Sequence, residues 1–273
     1  MQILLTNDDG IYSPGLAALE KTLRKLGDVF VVAPAYEQSG VSHSITFLMP
    51  LTVQKMTFDG GFTGWAVNGT PADCAKLAVT TLCPKRPDLV VSGINFGLNA
   101  GNNTLYSGTI SAAAEGLLCG ITSFAVSLEA SEEDHSKRAS ELATNIIEQI
   151  LKYQSEQKSE PQLYNINMPI AAMRNPTPQL KIVKVDRWQF HEGYEVRTDL
   201  LGRQYYWLDC RPDRRRPKLH ELSEGGDEQM TDEIALAMGF MTLSPLEYNM
   251  TKLTQLDVMR RWTINTTPER ATE

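Results

Sequence analysis

Met1-Gln2-Ile3-Leu4-Leu5-Thr6-Asn7-Asp8-Asp9-Gly10 opens the chain, and its reading decides the fold. The apolar run from Ile3 to Leu5 has the short, unbroken character of a strand buried on both faces, as in a parallel sheet. It stops at Asn7-Asp8-Asp9-Gly10, a cluster of turn formers, and Ser13-Pro14 then opens a helix. Two adjacent carboxylates at the carboxyl end of a first strand stand where open α/β sheets place ligands. They only accept hydrogen bonds and they repel each other, and a hard cation neutralises both. Read alone, the same four residues are also an ordinary polar turn.

Working outward, Ser13 caps a helix running to about Leu26 that Gly27 can end, with Leu16, Leu19, Leu23 and Leu26 in one stripe. Val29 to Ala33 is a second buried strand, so the first thirty-five residues or so form a βαβ unit. The loop Tyr36 to Ser44 follows that strand and should overhang the same sheet edge as Asp8 and Asp9. Thr46-Phe47, Leu51 to Met56 and Trp65 to Val67 read as short strands, with Asp59-Gly60-Gly61 as a hairpin turn. Thr70 then caps another helix, with Pro71 in its first turn and Asp73 near its positive end. Asp88 to Ser92 is a third parallel strand that runs into a long polar stretch, Gly93 to Thr109. Ser107-Gly108-Thr109 leads into an alanine-rich helix, Ile110 to Cys119, whose N-terminal amides make an anion site. Phe124 to Leu128, a helix from Ser131 to Tyr153, and Gln162 to Met168 complete the alternation. This order predicts a Rossmann-like α/β fold, a doubly wound, mostly parallel sheet with an inserted hairpin.

After Pro169 the character changes. Leu180 to Val185 and Arg203 to Leu208 look like strands of an arm leaving the core, most simply for subunit contact. Arg211-Pro-Asp-Arg-Arg-Arg-Pro217 reads as a solvated loop. Thr231 caps a short helix, Gly239 to Pro245 returns to the core as a strand, and Thr254 to Trp262 forms a last helix. The expectation is one domain, 1–273, with a core at about 1–179 and 229–250. The projecting arm covers about 180–228, and a C-terminal helix and tail cover about 251–273.

A formal net charge of −7 over 273 residues argues against a nucleic-acid scaffold. No apolar run is long enough to span a bilayer, and the N-terminus is already a strand rather than a secretory signal. Cys74, Cys83, Cys119 and Cys210 are scattered without a CxxC pair, which suits a cytoplasmic location.

The polar positions that follow strand ends converge on one rim. Asp8, Asp9, Ser39 and Asn95 with the Ser107-Gly108-Thr109 turn make an all-oxygen set suited to Mg²⁺, Mn²⁺ or Ca²⁺. A cation beside an anion nest points to phosphoryl transfer to water. Taken singly, Ser39 is an ordinary turn serine and Asn95 can brace its own loop. No GxSxG elbow, Walker A or nucleotide-cofactor GxGxxG is present. Of the histidines, His135 lies at an acidic helix start and His191 and His220 in the extension, without metal-ligand spacing. His43 shares the Ser39 loop; taken singly it is an ordinary surface-loop imidazole, and in that place it could also donate to a substrate phosphate or protonate a leaving oxygen.

ILLTNDDG, SGxSHSITF, NGTPADC, SGINFGLNAGNNTLYSGT with AAAEG, and TDEIALAMGFMTLSPL together resemble the SurE family, the survival-protein nucleotidases. The resemblance spans almost the whole chain. It implies a Rossmann-like phosphatase with one divalent cation per subunit, Mg²⁺ or Mn²⁺, that hydrolyses nucleoside 5′- and 3′-monophosphates and, in some members, short polyphosphate. It implies Asp8, Asp9, Ser39 and Asn95 as metal ligands, Ser107, Gly108 and Thr109 toward the phosphate, and Asn68 and Thr70 in support. It also implies cytoplasmic homodimers or homotetramers, with the projecting hairpin and the C-terminal segment as an oligomerisation extension exchanged between subunits. Two departures stand out. Glu37 occupies the region where many relatives carry a base, which weakens the case for polyphosphate, and Ser111 can narrow the pocket. The rival reading is a metal- and nucleotide-binding assembly protein without turnover.

Overall fold

Strand β1 (Gln2–Thr6) lies inside a nine-stranded sheet, with Ile3, Leu4 and Leu5 fully buried. The computed structural model describes residues 1–58, 63–187, 193–209 and 230–262. The Asp59–Gly61 turn, His191, Cys210, the 211–217 stretch, His220 and the tail from 266 lie outside those residues. The first βαβ unit is β1, helix α1 (Pro14–Leu23) and β2 (Asp28–Pro34), and β2 pairs parallel with β1. The inserted hairpin is β3 (Val53–Thr57) and β4 (Thr63–Val67), β4 lying parallel beside β2. Helix α2 (Pro71–Leu77) then leads to β5 (Leu89–Phe96), which pairs with the other side of β1. Helix α3 (Gly108–Leu118), β6 (Thr122–Leu128), α4 (Ser136–Gln157) and β7 (Leu163–Met168) continue outward. The chain therefore winds one way from β1 to β2 and the other way from β5. The carboxyl ends of β1 and β5 flank the switch point, where such sheets bind ligands.

Alternation along the strands divides the core. Ile3, Leu5, Val91 and Val126 face Leu16, Leu19 and Leu23 of α1 and Ala143 and Ile147 of α4. Leu4, Val32 and Val90 face Cys74 and Ala78 on the opposite side, where α2 and α3 pack on each other. Layers of helix on both faces follow from strands that are apolar on both faces.

Beyond β7 come the short helix α5 (Ile170–Arg174), β8 (Leu180–Ile182), β9 (Gly193–Thr198) and β10 (Gln204–Asp209). Helix α6 (Asp232–Ala237), β11 (Met241–Leu246) and α7 (Leu253–Met259) follow. The expected return strand is β11, antiparallel to β7. β8, which the sequence reading gives to the arm, instead pairs parallel with β11 in the main sheet. The paired strands outside the main sheet are β9 and β10, and β9, with its Glu195 and Arg197, escapes a search for apolar runs.

Three local expectations shift for physical reasons. Ser13 holds the N-cap position of α1, but its hydroxyl is buried without a partner and makes no cap bond. Thr46 joins no strand, because its amide and hydroxyl both donate to Asp73, at 2.9 and 2.6 Å. The Gly93–Thr109 stretch is less irregular than it reads: β5 continues to Phe96 with a register shift after Ser92, and a 3₁₀ turn spans Gly101–Leu105. Asn167 and Asn165 on β7 hold this stretch, donating to the Asn99 carbonyl at 3.1 and 2.8 Å, and Asn167 accepts the Asn99 amide at 2.8 Å. Among the described residues no helix is long and apolar enough to cross a membrane.

The small residues of α3 let it press onto the sheet. A Cβ at Gly116 would lie 2.4 Å from Ser123 Oγ and 2.7 Å from Val90 Cγ2. Gly116→Val is therefore expected to cost about 1–3 kcal/mol by overpacking, read from urea unfolding. Unchanged stability would mean that α3 can ride away from the sheet.

Candidate active site

Asp8 leaves the end of β1 and points at the start of α3. Thr109 donates its amide to Asp8 Oδ2 at 3.0 Å and its hydroxyl to Oδ1 at 2.6 Å. The contact requires a glycine at 108, since a Cβ there would meet Asp8 Cβ and Pro71 Cγ, each at 2.9 Å. Ser107 caps α3 by accepting the Ile110 amide at 3.2 Å. Two of the first three helix amides are thus committed, one of them to Asp8. The Gly108 amide and the Ser107 hydroxyl hydrogen are what this turn offers to a substrate anion. Ser111 does not narrow that opening, because its hydroxyl folds back onto the Ser107 carbonyl at 2.7 Å.

Across the switch point, the Phe96 amide at the end of β5 donates to Asp9 Oδ2 at 3.2 Å. Neighbouring Asn95 uses its amide nitrogen on the Gly97 carbonyl at 2.6 Å, which keeps its Oδ1 as a neutral oxygen donor. The loop after β2 does overhang this edge, for the Gln38 amide donates to the Asp8 carbonyl at 2.8 Å. Ser39, the next residue, is exposed and donates its hydroxyl to Glu37 at 2.7 Å, so its lone pairs stay available.

The rest of that loop is fastened at several points. The Ser42 amide and hydroxyl donate to the carbonyls of Tyr106 and Leu105, at 3.0 and 2.7 Å. The Thr70 hydroxyl donates to the Ser44 carbonyl at 2.6 Å while accepting the Asp73 amide, and Thr70 with Asp73 forms a capping box on α2. Burial pulls the Asp73 carboxyl upward, yet the hydrogen bonds from Thr46 and Thr70 leave it below the usual carboxylate range. Thr70 therefore supports the loop rather than facing a ligand. Asn68 is exposed at the end of β4, its amide bonded to the Thr52 carbonyl at 2.9 Å. His43 turns to Glu115 on α3, with Nε2 2.8 Å from Oε1. The sequence reading passes over Glu115, although a single acid in the run Ala112-Ala-Ala-Glu-Gly116 is its signal. It also passes over Glu37 as a partner of Ser39.

The electrostatics invite a cation. Burial first, and the charge of Glu37 last, push the Asp8 carboxyl up against the opposing Thr109 bonds. Burial and the Asp8 charge push Asp9 up to about 6. Among the described residues no lysine or arginine pairs with either carboxylate. Nor, among them, does any group of three or more His, Cys, Asp and Glu residues form a metal cage. Two carboxylates with neutral Asn95 and Ser39 oxygens nearby therefore fit a hard cation better than a soft one.

The profile of the family described as survival protein SurE matches residues 3–192. The chain belongs to the SurE family. Its relatives include the 5′-nucleotidase SurE of Rhodopirellula baltica, 46% identical over 97% of this chain and 99% of that protein. The 5′-nucleotidase SurE of Syntrophobacter fumaroxidans is 38% identical, over 97% of this chain and all of its own length. Among solved structures, the SurE protein from Aquifex aeolicus superposes with a TM-score of 0.75 at 32% identity, covering 95% of this chain and 98% of that one. The expected SurE-type α/β fold thus holds.

The raised carboxyls of this SurE-family site give a pH signature. For each, the folded state binds its proton more tightly than the unfolded chain does, so stability falls as pH rises. For Asp9 that loss runs from about pH 4, the unfolded value, to about pH 6, and is complete above it. Metal-free protein is expected to melt at a lower temperature at pH 7.5 than at pH 5, with a smaller difference in Asp9→Asn. Mn²⁺ should recover the loss at pH 7.5 and do little at pH 4.5. A pH-independent melting temperature in the wild type would contradict the buried, repelling pair.

Proposed function

We propose that this chain is a divalent-metal-dependent 5′-nucleotidase that hydrolyses nucleoside monophosphates to nucleoside and phosphate. The observation that carries the reading is the α3 N-terminus clasping Asp8 beside Asp9 and Asn95, at the switch point of the sheet. The names of full-length relatives at 46%, 37% and 38% identity support it. Asp8, Asp9, Ser39 and Asn95 would hold Mg²⁺ or Mn²⁺, one ion per subunit. What the ion supplies there is Lewis-acid polarisation of the phosphoryl group and acidification of a water. The chain's own part is to fix the geometry. The Gly108 amide and Ser107 hydroxyl orient phosphoryl oxygens in the field of the helix start, and Thr109 keeps Asp8 from turning away. Nucleoside 3′-monophosphates would be hydrolysed at the same site, whereas Glu37 would repel a second phosphate and keep short-polyphosphate cleavage weak.

Phosphate release from a panel of nucleoside monophosphates, with and without Mn²⁺ or Mg²⁺, tests this reading. Asp8→Asn and Asp9→Asn are each expected to cut kcat/KM by at least about 100-fold, beyond the roughly 10–100-fold cost of losing a supporting residue. Ser39→Ala should cost only about tenfold, because water can replace one neutral ligand. The absence of metal-stimulated release from any nucleotide would leave a binding protein without turnover.

The protein would act in the cytoplasm as a homodimer or homotetramer. The unpaired thiols of Cys74, Cys83 and Cys119 support the compartment. The β9–β10 hairpin supports the assembly: in register, Tyr194, Val196, Tyr206 and Leu208 line one face, and all four are exposed. Such a two-stranded ribbon does not bury its apolar face alone. Replacing residues 193–209 by a short Gly-Ser linker is expected to leave a folded chain of lower assembled mass by light scattering. An unchanged mass would remove the hairpin from the interface.

A further inference from the structure

Glu115 stands two helical turns behind the start of α3, and its side chain is only 5% exposed. Besides His43, it meets Lys76 of α2, with Oε2 3.5 Å from Nζ. Burial drives the Glu115 carboxyl upward, but the His43 hydrogen bond and the Lys76 charge hold it below the usual carboxylate range. An ionised carboxylate only accepts, so His43 Nε2 carries the hydrogen and donates it. Nδ1 therefore points away from Glu115, and among the described residues it has no hydrogen-bond partner. The ring is 20% exposed and is held edge-on by Tyr248, with centroids 5.0 Å apart.

The same helix carries both ends of this arrangement. Seven residues separate Gly108 from Glu115, about 10 Å along the axis. Helical side chains lean toward the N-terminus, which brings the glutamate and its imidazole back toward the anion turn. His43 also shares one short loop with Ser39, and that loop is tied to the Tyr106 carbonyl just ahead of the anion turn. Resting on the nucleotidase reading, we propose that His43 protonates the leaving oxygen of the nucleoside and that Glu115 is its positioning residue. As water oxygen bonds to phosphorus, the phosphorus–oxygen bond to the nucleoside breaks and its electron pair goes to the leaving oxygen. With both ring nitrogens protonated at the start of the step, that oxygen takes the Nδ1 proton and leaves as the nucleoside hydroxyl, while the Nε2 hydrogen stays in its bond to Glu115. The attacking water keeps one hydrogen in the product hydrogen phosphate and gives the other to solvent, from which the imidazole is reprotonated.

A leaving group that departs as a stable anion needs no such proton, and this gives the test. Glu115→Gln and His43→Gln are assayed with Mg²⁺ on a nucleoside 5′-monophosphate and on p-nitrophenyl phosphate. On the nucleotide kcat is expected to fall about 100-fold with little change in KM. The loss on the aryl phosphate should be at least about tenfold smaller. A downfield proton resonance from His43 Nε2–H is expected in the wild type and should disappear in Glu115→Gln. Equal losses on both substrates, or a rise in KM at constant kcat, would overturn the assignment, since either marks a packing or binding role. His43→Gln keeps the test open if Glu115→Gln does not fold. A wild type that cleaves the aryl phosphate but no nucleotide would sink the nucleotidase reading, and this assignment with it.

Discussion

Everything at the switch point depends on one buried carboxylate held by a helix start. Asp8 is almost fully removed from water, next to Asp9 and within the field of Glu37, and Thr109 grips both of its oxygens. A buried charge keeps its place when it is hydrogen-bonded and sits at the positive end of a helix. The clasp fixes α3 against the end of β1, and the size limit at Gly108 fixes how closely. It does not neutralise the second carboxylate. The metal-free fold therefore carries a repulsion that a cation would relieve, and binding would count as folding free energy.

The sheet was legible in the sequence for the reason that parallel strands are: they are buried on both faces and read as unbroken apolar runs. β1, β2, β5 and β6 stand close to where Ile3–Leu5, Val29–Ala33, Asp88–Ser92 and Phe124–Leu128 put them. β8 and β9 were harder. β8 is a three-residue edge strand whose pairing with β11 depends on a segment sixty residues away, and β9 alternates apolar with charged residues. Local chemistry misled where a side chain replaced a backbone partner, as at Thr46, whose hydrogen bonds go to Asp73 and not to a ladder.

The site divides along the same line. The placing of Asp8, Asp9 and Asn95 on one rim was legible because the first two follow β1 and the third lies in the last residues of β5, and strand ends converge at a switch point. The tasks of Thr109 and Ser111 were not, since a sequence shows donors without showing where they are spent. Glu115 lay open to a composition argument, because an acid among alanines on a buried helix needs a partner to stay ionised. The partner, His43, is seventy-two residues away.

The loop that carries Ser39 and His43 is tied to three separate elements: to the 3₁₀ turn through Ser42, to α2 through Thr70 and Asp73, and to α3 through Glu115. Each tie removes rotational and torsional freedom while the protein folds. A ligand arriving at this edge would then find the freedom already spent, so little of its binding energy goes into ordering the loop. That is the opposite of a lid, which trades affinity for closure. Discrimination among phosphate esters would follow from what fits a fixed rim, and exchange of substrate for product would not wait on the loop.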